Sequence, residues 1–172
     1  MIDKEVNMDK KNKWIKNLKM IKHPEGGYYS EEYVSPYKIT SECLNIEFNG
    51  YRALSSSIYF LIDENNVSNF HRLKSDEIWY YHDGEPLTIA VITKSGDYRS
   101  YDLGLDFDKG QRPQILVEAG SIFGSYTKKG FSLVSCMVSY AFDFEDFELF
   151  KRETLLKEYP EHEEIIRKLT LE

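Results

Sequence analysis

The sequence predicts an all-β sandwich or barrel, carrying an N-terminal helix and a C-terminal helical tail. Three observations lead there. From about residue 52 to 140 the chain runs as short strand-like segments at even spacing, separated by Gly-containing turns. No helical segment interleaves with them, which argues against a parallel sheet. Thirteen Tyr, ten Phe and two Trp make 15% of the chain. Such residues suit half-buried pleated sheets and also line concave pockets.

Each element has its own signal. Trp14, Ile15, Leu18 and Ile21 recur at three- and four-residue steps with lysines between, which predicts a helix from about Asp9 to Met20. His23-Pro24-Glu25-Gly26-Gly27 ends it, since Pro cannot continue a helix and paired Gly permit a sharp turn. Tyr28 to Val34 reads as extended, and Ser35 to Gly50 as a loop or irregular hairpin. Arg52–Ile62 is the first long strand. Glu77–His82, Leu87–Thr93, Ser100–Leu103, Gln114–Val117, Ser121–Tyr126 and Phe131–Tyr140 complete the set. From about Leu149 the chain returns to charged helix, broken at Pro160. The expected organisation is an arm over 1–22, one β domain over 23–148 and a tail over 149–172.

A chain of 172 residues has the length of one domain. Its formal net charge is −7, from 22 Lys and Arg against 29 Asp and Glu, which disfavours nucleic acid and anionic membranes as partners. The basic run Lys10 to Lys22 is interleaved with apolar residues and reads as the wet face of a helix. The longest apolar stretch, Ile58 to Ile62, is far short of a membrane span. The N-terminus lacks an apolar signal core, so a cytoplasmic location is expected. Cys43 and Cys136 lie too far apart in sequence for a CxxC site. No phosphate-loop or dinucleotide-binding glycine pattern occurs.

The most specific segment is Phe70 to Gly84. It follows the spacing H-x-H, three residues, Glu, six residues, Gly of the first cupin motif, with His71, Glu77 and Gly84 in register and Leu73 at the second histidine. Glu118 to Phe123 stands where P-x-G-x-x-H is expected; Gly120 is kept, while Glu118 replaces the proline and Phe123 the histidine. With His23–Tyr29, Phe131–Val138 and Phe142–Glu148, the chain from about 18 to 150 resembles a cupin-superfamily family of small proteins of unassigned function, related to dTDP-sugar epimerase-like cupins. The resemblance implies a jelly-roll (double-stranded β-helix) barrel, a homodimer and a small-molecule ligand. Tyr140-Ala141 stands where members tend to carry Pro-Gly.

A cupin metal centre needs three or four converging N/O ligands, and Leu73 and Phe123 remove two of the usual four. A His71–Glu77 pair alone would hold a divalent ion weakly, so no cofactor is expected. His82, five residues from Glu77 in a strand, points to the opposite face. His71 beside a carboxylate remains a natural proton acceptor. The related epimerases suggest His71 as base, oriented by Glu77, with Tyr81 or Tyr140 as acid. Arg52, on the parity of Leu54, Ser56, Ile58 and Phe60, would select an anionic or polyhydroxylated ligand if it faces the lumen. Ser56, Trp79 and Phe123 are candidate pocket residues, and His23 and Glu25 would cap it. Arg72 is expected to point outward into a salt bridge. A sugar-like or carboxylated ligand, epimerised without metal, heads the functional expectations. A non-catalytic binding or sensor protein, a metal enzyme using His71 and Glu77, and a purely structural His71–Glu77 hydrogen bond stand beside it.

Overall fold

The computed structural model describes residues 2–44 and 47–171, with side chains described from residue 8 onward. Helix α1 (Ile2–Asn17) precedes β1 (Ile21–Lys22), β2 (Tyr28–Val34) and a small hairpin of β3 (Lys38–Thr40) and β4 (Tyr51–Ala53). Then come β5 (Ser56–Asp63), β6 (Ser68–Leu73), β7 (Asp76–Gly84), β8 (Leu87–Ile92) and β9 (Tyr98–Leu103). β10 (Gln114–Val117), β11 (Ile122–Thr127), β12 (Phe131–Ser139) and β13 (Phe147–Leu149) follow, with α2 (Arg152–Glu158) and α3 (Glu163–Lys168) as the tail. Two antiparallel sheets form the barrel, in the orders β1-β2-β5-β12-β7-β10 and β13-β6-β11-β8-β9.

The inner strands of each sheet, such as β8 and β11, are covered on both faces, which explains their apolar runs. On β5, Phe60 and Ile62 point into the barrel core with Trp79, Ile89, Val91 and Phe123. Leu61 points out, under Met20 and the apolar side of α1. On β8, Leu87, Ile89 and Val91 face inward, while Ala90 and Ile92 meet Leu155, Ile166 and Leu169 of the tail. The tail is also stitched to β6, with Phe70 N–H donating to the Leu169 carbonyl at 2.6 Å. Helix α1 is held by Trp14 Nε1–H and Lys10 on Asp83 and by Lys11 on Asp63. Part of the lysine run therefore ties the helix down rather than merely wetting it. Among the described residues no helix is long and apolar enough to cross a membrane.

Two local expectations change. The predicted strand Arg52–Ile62 is broken at residues 54 and 55 into β4 and β5. Arg52 pairs with Ile39 in the small hairpin, so parity counted from Ser56 does not carry through to it. Strand β6, which bears His71, lacks any polar alternation because it is buried almost throughout, and periodicity alone misses it.

Candidate functional site

One end of the barrel encloses a cavity of about 110 Å³. Its walls come from β2, β5, β6, β7 and β12, from the turn at 23–27, and from Phe142 and Phe144 after β12.

His71 is the fixed point. Its side chain is buried, with its ring 4.1 Å from that of Phe123 and 5.4 Å from that of Phe147. Nδ1 lies 2.8 Å from the Asn69 carbonyl, which only accepts, so Nδ1 carries the proton. Nε2 is then the nitrogen left to take one up, and it lies 3.4 Å from Glu25 Oε2. Burial pushes the His71 pKa down to about 4, against a smaller upward pull from the Asn69 carbonyl.

Glu25 comes from the turn. Its Oε1 accepts from the Ser68 hydroxyl at 2.7 Å, and its Oε2 lies 3.5 Å from His23 Nδ1. The turn is bolted to β6: Asn69 donates to the Glu25 carbonyl from its backbone N–H at 2.8 Å and from Nδ2 at 2.6 Å. Gly26 makes this approach feasible. Its φ is +114°, and a Cβ there would lie 2.0 Å from the Val67 carbonyl oxygen. Burial raises the Glu25 pKa, and lowers that of His23.

Glu77 enters from β7. Its Oε2 accepts from Trp79 Nε1–H at 3.0 Å, and Cys136 stands beside it. Burial first, and the Glu25 charge second, push its pKa up to about 8. Burial in the cavity therefore favours the neutral imidazole of His71 and the protonated carboxyl of Glu77.

Of the residues singled out in the sequence, His71, Glu77, Ser56, His23 and Glu25 line this cavity. The carboxyl group beside His71 Nε2 is that of Glu25, whereas the Glu77 carboxyl accepts from the Trp79 indole. Trp79 and Phe123 are core rings that support the wall rather than line it. Ser56 Oγ accepts from Phe142 N–H at 3.0 Å.

Tyr81, Tyr140 and Arg52 stand elsewhere. Tyr81 follows the inward parity of Glu77 and Trp79, but it lies farther along β7 beside a register shift against β12, and its hydroxyl donates to the Gly84 carbonyl. Tyr140 lies past the end of β12, against Phe48, and does not border the cavity. Arg52 is buried in an ion-pair cluster, with Nε 2.7 Å from Asp146 Oδ2 and Nη2 3.1 Å from Glu145 Oε2. Asp146, from the segment after β12, is thus buried with it. Arg72 and His82 point outward as expected, Arg72 to Glu148 and His82 to Ser135.

Sequence reasoning missed Tyr29, Glu31, Cys136 and Phe142 in the wall. Tyr29 and Glu31 share one face of β2, directly after the His-Pro-Glu-Gly-Gly phrase, and that parity was the available signal. Nothing local marks Phe142, whose position depends on the chain doubling back after β12.

Residues 12–150 match the family described as Cupin superfamily (DUF985). The uncharacterized protein YML079W of Saccharomyces cerevisiae is 30% identical over 155 residues, covering 83% of this chain and 76% of its own. A hypothetical protein from Leishmania major superposes with a TM-score of 0.86 at 39% identity, covering 94% of this chain and 98% of its own. Protein SO0799 from Shewanella oneidensis does so with 0.83 at 46% identity, covering 93% and 96%. Bacillus subtilis oxalate decarboxylase shares the fold alone, at 14% identity and a TM-score of 0.52, over 86% of this chain and 36% of its own.

That decarboxylase has Mn(II) centres. Here Leu73 and Phe123 bring hydrocarbon where donors would be needed, and no group of three or more His, Cys, Asp or Glu among the described residues is disposed to hold an ion. A covered β-sandwich with His71, Glu77 and Gly84 at cupin spacing, matched over residues 12–150, places this chain in the cupin superfamily family DUF985.

Proposed function

We propose that the chain binds a small polar ligand in this cavity and moves a proton on it, as an isomerase or epimerase acting next to a carbonyl does. The observation that supports this reading is that His71 and Glu77 border one cavity, where burial disfavours the charged form of each. Carboxyl and imidazole groups whose surroundings push their pKa values past one another make a base and an acid at the same pH. His71 Nε2 accepts the carbon-bound proton, because Asn69 holds the other ring nitrogen protonated. The imidazolium so formed has Glu25 beside it. Glu77 supplies a proton to the carbonyl oxygen and recovers it as the carbonyl re-forms. The cavity is small beside the 300–1,000 Å³ typical of drug-sized ligands. It suits a three- to six-carbon molecule or the reactive end of a larger one.

Hydroxyaldehydes and hydroxyketones incubated with the protein in D2O, followed by mass spectrometry, test the reading. Wild type is expected to exchange a carbon-bound hydrogen, and His71→Gln and Glu77→Gln each to slow this by about 10²–10⁴-fold. Equal exchange in both variants removes the assigned roles. Stabilisation by a ligand that wild type never labels leaves a binding protein without catalysis.

A further inference from the structure

The charge of the ligand is written in the wall. Three carboxyl groups, those of Glu25, Glu31 and Glu77, border the cavity, and no Lys or Arg does so among the described residues. Arg52, the cation that would have served an anionic ligand, is turned away and held by Asp146 and Glu145. The two histidines bring no fixed positive charge, since burial disfavours their protonated forms. A buried carboxylate or phosphate would meet no counter-charge here.

The mouth adds a second kind of evidence. Glu31 is exposed and forms no side-chain ion pair or hydrogen bond among the described residues. It shares its strand face with Tyr29, and the exposed ring of Phe144 borders the same cavity. An unpaired carboxylate beside aromatic faces attracts an organic cation through both charge and ring quadrupole. A hydrated metal ion gains less from those rings.

We propose that the ligand of this cavity carries an ammonium group and no anionic group, its nitrogen lying at the mouth against Glu31 with Tyr29 and Phe144 around it. The inference rests on the cavity being the ligand site, and it adds the substrate class: amino sugars or amino alcohols, in place of nucleotide sugars and organic acids.

Calorimetric titration of the full chain with matched sets tests it: serinol, glycerol and glycerate; glucosamine, glucose and glucuronate. The amine of a set should bind at least about tenfold more tightly than its neutral twin, and the acid should not bind. Glu31→Gln, at an exposed position, should abolish the amine's advantage over its neutral twin. Raised ionic strength should weaken the amine alone. Binding led by an acid, with that binding lost in His71→Gln, overturns the ammonium assignment and keeps the cavity as the site. So does an amine advantage that survives Glu31→Gln, or stabilisation by MnCl2 or ZnCl2 where no amine acts. Binding untouched by His71→Gln, or no binding in either set, removes the cavity reading and this inference with it.

Discussion

Leu73 and Phe123 decide what His71 is able to do. With hydrocarbon at both positions the imidazole has a carboxylate and two aromatic rings for neighbours, and the proposed function assigns it proton transfer. Glu77 is the other half, and its pH behaviour is measurable. The folded chain keeps the Glu77 proton up to about pH 8, whereas an ordinary glutamate releases it near 4.5. Stability from this group is therefore full below pH 4.5 and declines by about 1.4 kcal/mol per pH unit as pH rises towards 8. His71 acts in the other direction, because its folded pKa lies near 4 rather than 6.5. Its contribution is full above pH 6.5 and is lost as pH falls to 4. The two trends oppose each other between pH 4.5 and 6.5, so the visible loss should fall between 6.5 and 8, amounting to about 2 kcal/mol. Urea unfolding over that range should show the slope in wild type and lose it in Glu77→Gln; an unchanged slope would mean Glu77 is ionised in the fold. The cupin spacing makes His71 and Glu77 legible as site residues in the sequence. The identity of the carboxylate facing His71 is not legible, because Glu25 is 46 positions away and only the folded turn brings it in.

Two short segments frame the cavity, and each has a single point of attachment worth testing. The turn at 23–27 depends on Gly26, where a methyl group would overlap the Val67 carbonyl. Gly26→Ala should cost about 3 kcal/mol or more. Chemical denaturation measures that, and a cost under about 1 kcal/mol would show that the turn has slack. The segment after β12 is clasped by Arg52, itself buried, through Asp143, Glu145 and Asp146. Arg52→Met leaves Asp146 buried without its closest cation and should cost about 3–5 kcal/mol. Hydrogen exchange should rise at Phe142–Phe147 before it rises in β5 or β12; uniform loss of protection would sink the clasp. Strand boundaries in this region resist reading from sequence for the same reason. Arg52 looks like the first residue of a long strand until the chain bends at residues 54 and 55, and the cation considered for the lumen holds the segment after β12 instead.

At the scale of the molecule, the barrel is a sheet pair with a helical cover on each outside. Its class is readable because strand length, turn residues and aromatic content agree. The covers are harder to foresee, since a continuous apolar run such as Ile89–Ile92 does not say which of its residues face the core and which face a helix. The tail supplies Leu155, Ile166 and Leu169 to a separate apolar cluster with Phe70, Ala90 and Ile122, so it belongs to the folded unit. Ile166→Ala should cost about 2–5 kcal/mol. Its effect should be on unfolding, with ligand affinity unchanged, because the tail lies outside the sheet and the cavity inside. Loss of affinity at full folding would mean that the two faces communicate.

The contact of Gly26 with Val67 has an outcome reaching beyond stability. It leaves no room for a methyl group between the turn that delivers His23 and Glu25 and the residue that leads into the strand delivering His71. Neither half is free to drift alone: a lineage that trades this glycine for a bulkier residue forfeits the carboxylate beside the imidazole in the same stroke. Among relatives, the two phrases should survive together or decay together.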